Sequence, residues 1–111
     1  MATVLVVDDS EPLGRLMLQT LDRAGHRGAW APSGAAALAH AAVEQPDVVL
    51  IDLHLGDMRG SELAEALRIQ FPAARLVGLS GEVPEAAERG RFDAFLLKPV
   101  ALTTLLDALR T

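Results

Sequence analysis

The sequence predicts an α/β fold: a doubly wound parallel sheet of five strands with five helices. Three observations carry that expectation. Short apolar, β-rich segments alternate five times with segments of helical periodicity. The segment Val48-Val49-Leu50-Ile51 is continuously apolar, as expected of a strand covered on both faces. Four of the five strands end in a polar or charged residue, so they have a functional end and a plain one.

The elements follow in order. Thr3 to Val7 is an apolar strand running into Asp8-Asp9. Ser10 caps a first helix and Pro12 fits its first turn. Leu13, Leu16, Met17, Thr20, Leu21 and Ala24 fall on one face of that helix, Leu18 lies off it, and Gly25 closes it. His26 to Ala31 is a weaker strand, with Gly28 inside it and Trp30 as its bulk, and is expected at a sheet edge. Ser33 caps an alanine-rich helix from about Gly34 to Glu44, and Pro46 stops it. Val48 to Asp52 is the third strand. Gly60 or Ser61 starts a third helix, with Leu63, Ala64, Leu67 and Ile69 as its apolar side, ending before Pro72. Arg75 to Ser80 is the fourth strand. Pro84 to Gly90 leaves room for only about two helical turns. Ala94 to Leu97 is the fifth strand, ending at Lys98-Pro99. Leu102, Leu105, Leu106 and Leu109 mark a last amphipathic helix, expected to reach the C-terminus.

The length of 111 residues fits one domain, residues 1–111, without linker or repeat. Half of the residues are apolar, a globular composition. The absence of cysteine excludes disulfides and thiolate metal sites. A net charge of −5 with no basic cluster argues against nucleic-acid binding by this domain. No apolar run reaches the ~20 residues of a membrane span, and no signal-peptide pattern opens the chain, so a cytoplasmic location is expected. The ten basic residues comprise nine arginines and a single lysine, Lys98.

At this size the expected strand order is 2-1-3-4-5, the flavodoxin-like order, taken by analogy with that fold. It brings the carboxyl ends of the strands together where ligands bind in open α/β sheets. Asp8, Asp9 and Asp52, Ser80 and Lys98 then share one pocket. Crowded carboxylates resist ionising together, and a hard divalent cation such as Mg²⁺ (or Mn²⁺) relieves them. Lys98 and Ser80 are suited to phosphoryl oxygens, leaving Asp52 as a nucleophile toward phosphorus. Singly, each of these is an ordinary strand-end polar residue; the set points to a site.

The set resembles the CheY-like receiver domain of two-component response regulators and of hybrid histidine kinases. The likeness spans the chain and rests on Val-Val-Asp8-Asp9, on Asp52 with the loop to Gly60, on Leu79-Ser80-Gly81 and on Phe95-Leu96-Leu97-Lys98-Pro99. Gly25-His26 and Ala31-Pro32-Ser33-Gly34 add to it. The resemblance implies Asp52 as phosphoacceptor. It implies Asp9 as a direct Mg²⁺ ligand, with Asp8 assisting and the His54 backbone carbonyl completing the set. It implies Lys98 and Ser80 as phosphoryl contacts, Ser80 and Phe95 as switch residues, and a cis Lys98-Pro99 bond. The implied partners are a histidine kinase or a histidine phosphotransfer protein, and a downstream effector for which the sequence carries no signature; none specifies an oligomeric state. A receiver of this kind is not a turnover enzyme: it catalyses its own phosphorylation and slow dephosphorylation.

Gly56 stands where the family usually has proline, so a looser loop and a positive φ are expected there. The fourth helix looks trimmed. Leu18, off the apolar face, is a candidate contact for a kinase's helical bundle. His54 and Glu82 follow Asp52 and Ser80 by two residues, where side chains tune phosphoryl lifetime in the family. His26 and His40 read as surface residues. Two other functions compete. A pseudo-receiver would bind partners without being phosphorylated. A haloacid dehalogenase-type phosphatase also uses an Asp nucleophile with Ser and Lys. It typically carries a second Asp two residues after the nucleophile, where this chain has His54.

Overall fold

The computed structural model describes residues 1–110, and its five strands form one parallel sheet in the order β2-β1-β3-β4-β5. In chain order the elements are β1 (Thr3–Val7), α1 (Glu11–Arg23), β2 (Arg27–Ala31), α2 (Gly34–Val43) and β3 (Val48–Asp52). These are followed by α3 (Gly60–Gln70), β4 (Arg75–Ser80), α4 (Ala86–Arg89), β5 (Ala94–Leu97) and α5 (Leu102–Ala108). The expected topology and strand order are those found.

Strand alternation divides the core in two. Leu5, Val7, Val49, Ile51 and Leu76 point to the side covered by α2 and α3, where Ala37, Ala41, Leu63, Ala64 and Leu67 meet them. Val4, Val6, Val48, Leu50, Val77 and Leu79 point to the other side, against Met17 and Leu21 of α1 and Leu105 and Ala108 of α5. Successive strand residues thus serve opposite layers, and β3 is buried at all five positions. The register pairs Val7 with Ile51 and Asp52 with Leu79, which aligns the carboxyl ends of β1, β3 and β4.

The helix ends are set by local chemistry. The Ser10 hydroxyl accepts the Leu13 amide at 3.4 Å, and the Ser33 hydroxyl accepts the Ala36 amide at 3.1 Å. Gly25 has φ 85°, the left-handed conformation that closes a helix and that a Cβ disfavours. Gly56 does not share it: among the described residues Gly25 is the only glycine with positive φ, so the expectation of a left-handed Gly56 is corrected.

The apolar faces also differ in part from the sequence reading. Leu16 is 58% exposed, while Leu18 is half-buried and packs with the α1–α5 layer. The cause is Gly28. A Cβ there would lie 2.9 Å from a Leu18 methyl, so the bare backbone of β2 gives Leu18 its seat. Leu18 is therefore not the free contact that the sequence suggested. Ile69 is 78% exposed, because Leu63, Ala64 and Leu67 already complete the buried side of α3. Leu102 is 54% exposed at the start of α5, and the buried side of that helix begins at Leu105. α5 ends at Ala108, with Leu109 as its cap, short of the expected C-terminus; Thr111 lies outside the described residues. α4 is a single turn, even shorter than expected. His26 is half-buried and its Nδ1 accepts the Ala2 amide at 3.0 Å, so it ties the chain start to the β2 entry. His40 is half-buried too, in the last turn of α2.

Candidate functional site

The acidic pocket lies where β1 and β3 end side by side. Asp8 and Asp52 are buried, and Asp9 is exposed beside them. One carboxylate oxygen from each of the three lies within 4.8 Å of the others, the spacing of a shared cation site. Oxygen-only donors, two of them on buried residues, suit a hard divalent ion.

Lys98 reaches the same pocket from the end of β5. Its Nζ lies 3.4 Å from Asp8 Oδ2 and 3.5 Å from Asp52 Oδ2. Its backbone amide donates to the Ser80 carbonyl at 2.8 Å, which fixes the last residue of β4 next to the lysine. The Lys98-Pro99 peptide bond is cis, as the resemblance implies. Ser80 is buried, and its hydroxyl accepts the Glu82 amide at 3.2 Å.

Asp52 is held at both ends of its carboxylate. Oδ1 accepts the His54 amide at 3.2 Å, while Oδ2 faces Lys98. Burial pushes its pKa above the ordinary carboxylate value. The His54 amide and the Lys98 charge oppose that rise, and the Asp8 charge adds to it. The helix after it starts close by: a Cβ on Gly60 would overlap the Asp52 carbonyl and the Leu53 backbone. Glycine therefore lets α3 begin against the end of β3.

Phe95 is half-buried in β5 and packs edge-on against Phe92, with ring centroids 5.7 Å apart. A Cβ on Gly78 would lie 2.6 Å from the Phe95 ring. The aromatic thus rests on the glycine of the neighbouring strand, two residues before Ser80.

Four contributors were not anticipated from the sequence. The Trp30 indole donates to the Asp8 carbonyl at 2.8 Å, which ties β2 to the acidic pocket. The Asp57 carboxylate accepts the amides of Gly34 and Ala35 at 2.9 and 3.0 Å, and so caps α2 from the loop after β3. These amides hold its pKa below the usual range. Arg59 forms a forked pair with Glu88 of α4, with Nε and Nη2 at 2.9 and 2.7 Å from Oε2. That pair holds the Glu88 pKa below the usual range.

Fold and pocket together define a response regulator receiver domain of two-component signalling. The family model of that domain matches residues 4–110, and the chain belongs to the family. The sensory/regulatory protein RpfC of Xanthomonas campestris pv. campestris is 34% identical over 96% of this chain. The matched part is 16% of the length of that relative. The chemotaxis response regulator CheY4 of Vibrio cholerae has 32% identity and a TM-score of 0.90, covering 98% of this chain and 96% of that one. A response regulator protein from Burkholderia pseudomallei, solved with a phosphorylated aspartic acid, a calcium ion and citrate, has 30% identity and a TM-score of 0.90. It covers 100% of this chain and 68% of that one.

Proposed function

We propose that the chain is a phosphorylation-dependent switch that receives a phosphoryl group on Asp52 from the phosphohistidine of a histidine kinase or histidine phosphotransfer protein. The observation that carries this reading is the convergence of the Lys98 ammonium on Asp52 and Asp8, within a cluster completed by Asp9. The phosphorylated aspartic acid of the Burkholderia relative supports it.

Asp52 Oδ attacks phosphorus, the donor's P–N bond breaks, and the donor imidazole takes back the electron pair of that bond. The product is an acyl phosphate on Asp52. Lys98 neutralises negative charge on the transferred group, and the Ser80 hydroxyl, which accepts the Glu82 amide, donates its own proton to it. Asp8, Asp9, Asp52 and the His54 carbonyl would hold Mg²⁺ or Mn²⁺, which when bound screens the carboxylates and the phosphoryl oxygens. Release follows by hydrolysis: water adds to phosphorus, the bond to Asp52 breaks, and inorganic phosphate and a proton leave. His54 and Glu82, at the pocket rim, set how fast that happens.

The output is a population shift between two arrangements of the β4–α4 region, with Ser80 and Phe95 moving together. Phe95 lacks a hydroxyl, so its inward state gains only from ring burial. The chain works as one receiver unit over residues 1–111, in the cytoplasm, and passes its state to an effector rather than turning over a substrate. No helix among the described residues is long and apolar enough to cross a membrane.

The test is incubation with Mg²⁺ and acetyl phosphate followed by intact mass. One added phosphate, lost in Asp52→Asn, is the expected result. No uptake would make the chain a pseudo-receiver, and multiple turnover of a phosphate ester would make it a phosphatase.

A further inference from the structure

The loop after β3 and the short α4 are joined by a chain of polar side chains that ends over the pocket rim. Glu88 of α4 is gripped by the Arg59 fork and also accepts the Ser61 hydroxyl at 3.0 Å. The Arg59 Nη1 lies 3.1 Å from His54 Nδ1. A guanidinium can only donate, so Nδ1 is the acceptor and neutral His54 carries its proton on Nε2. Nε2 in turn faces Glu82 Oε1 at 3.4 Å. The sequence of contacts is therefore Glu88–Arg59–His54–Glu82.

The two ends of the last link are anchored on the pocket itself. The His54 amide donates to Asp52 Oδ1, and the Glu82 amide donates to Ser80 Oγ. The His54–Glu82 pair thus spans the gap between the ends of β3 and β4. It does so on the solvent side, since the two side chains are 50% and 78% exposed. An unrestrained exposed pair of this kind is weak and short-lived. Arg59 supplies the restraint, because its other donors are spent on a Glu88 side chain only 18% exposed.

We propose that Arg59 is a positioning residue for the phosphoryl lifetime: held by Glu88, it fixes the His54 ring as a bar across the rim that hinders water reaching the acyl phosphate. The proposal rests on phosphorylation of Asp52. It makes the lifetime depend on α4, because anything that draws Glu88 away releases Arg59 and then His54. The hydrolysis it slows is the one written above, with water adding to phosphorus and the Asp52–phosphorus bond breaking.

The experiment follows loss of phosphate by intact mass after the donor is removed, in Mg²⁺. Wild type, Arg59→Ala, His54→Ala, the double variant and Glu88→Ala are compared. Wild-type uptake is read first; if none occurs, the phosphorylation reading falls and this proposal with it. Given uptake, Arg59→Ala is expected to shorten the half-life by about fivefold, the rate equivalent of one ordinary hydrogen bond. In the His54→Ala background the same change is expected to do almost nothing, a non-additivity that a merely structural arginine would not produce. Glu88→Ala keeps Arg59 itself as the residue before α3, frees its guanidinium together with the Ser61 hydroxyl, and is expected to reproduce the shortening. An unchanged half-life in Arg59→Ala and Glu88→Ala overturns the proposal while leaving phosphorylation of Asp52 intact. So does an Arg59→Ala effect of equal size with and without His54.

Discussion

The Trp30 indole nitrogen donates to the backbone carbonyl of Asp8 at 2.8 Å, so the only tryptophan is wired to a residue of the acidic cluster. A Cβ on Gly14 would lie 2.5 Å from Cδ1 and Nε1 of that ring, so the α1 backbone packs close against the same edge of the indole. A tryptophan clamped in this way responds to small shifts of the β1 end. Mg²⁺ is expected to change Trp30 fluorescence saturably, and Asp9→Ala to remove the change at the same concentrations. A Trp30 signal that follows ionic strength alone, equally in Asp9→Ala, would detach it from the cluster.

Asp57 holds the start of α2 although it belongs to the loop after β3. Gly56 gives that loop no backbone restraint of the kind proline would, and the Asp57 cap supplies one from the side chain. Asp57→Ala is expected to lower the thermal midpoint modestly and to expose the Gly34 and Ala35 amides to hydrogen exchange. The pKa of Asp57 is lowered in the fold, so its contribution is fully present above the unfolded value of about 3.8 and fades as pH falls below it. The difference between wild type and variant should hold constant around neutral pH and shrink only in acid. The exposure of the group keeps the effect small and salt-sensitive.

The sequence made the sheet and the pocket legible for one reason: both depend on strand ends. Alternating strands and helices give the fold class, the strand order came by analogy with the flavodoxin-like fold, and with that order Asp8, Asp9, Asp52, Ser80 and Lys98 meet at one edge. Helix faces were harder to read. The side taken by Leu18 depends on a glycine in another element, Gly28, and no periodicity within α1 contains that fact. Ile69 fits the apolar rhythm of α3 yet is left outside, since three neighbours complete the contact first. Arg59 and Glu88 lie 29 residues apart, and Asp57 and Gly34 lie 23 apart. Such pairs are decided by the three-dimensional approach of loops, for which local sequence has no signature.

Phe95 rests against Gly78, and the space for its ring is the hydrogen atom of that glycine. Gly78→Ala puts a methyl 2.6 Å from the ring and 3.1 Å from Phe92. Overpacking of this kind costs about 1–3 kcal/mol. The variant is therefore expected to unfold at lower denaturant with an unchanged slope. Combining it with Phe95→Leu should recover part of the loss, because the smaller side chain vacates the contact. Equal midpoints for wild type and Gly78→Ala would show that the ring moves away at no cost.

Asp52 carries a stability cost that its chemistry requires. Its carboxylate is buried beside Asp8, and burial raises its pKa despite the His54 amide and Lys98. The native state then holds a proton more tightly than the unfolded chain. Stability from this group is therefore greatest below the unfolded value of about 3.8 and declines as pH rises through the raised native pKa. Asp52→Asn removes the charge, keeps an oxygen for the His54 amide, and leaves Lys98 paired with Asp8. Without divalent cations at neutral pH, Asp52→Asn is expected to melt a few degrees above wild type. The gap should close as pH is lowered into the range where Asp52 is protonated in both states. Adding Mg²⁺ should reverse the order, since an ion bound to the native carboxylates stabilises wild type more than a variant lacking one of them. Thermal melts across pH, with chelator and with Mg²⁺, check all three statements. A lower midpoint for Asp52→Asn in chelator at neutral pH would mean that the Lys98 pairing outweighs the burial of the charge.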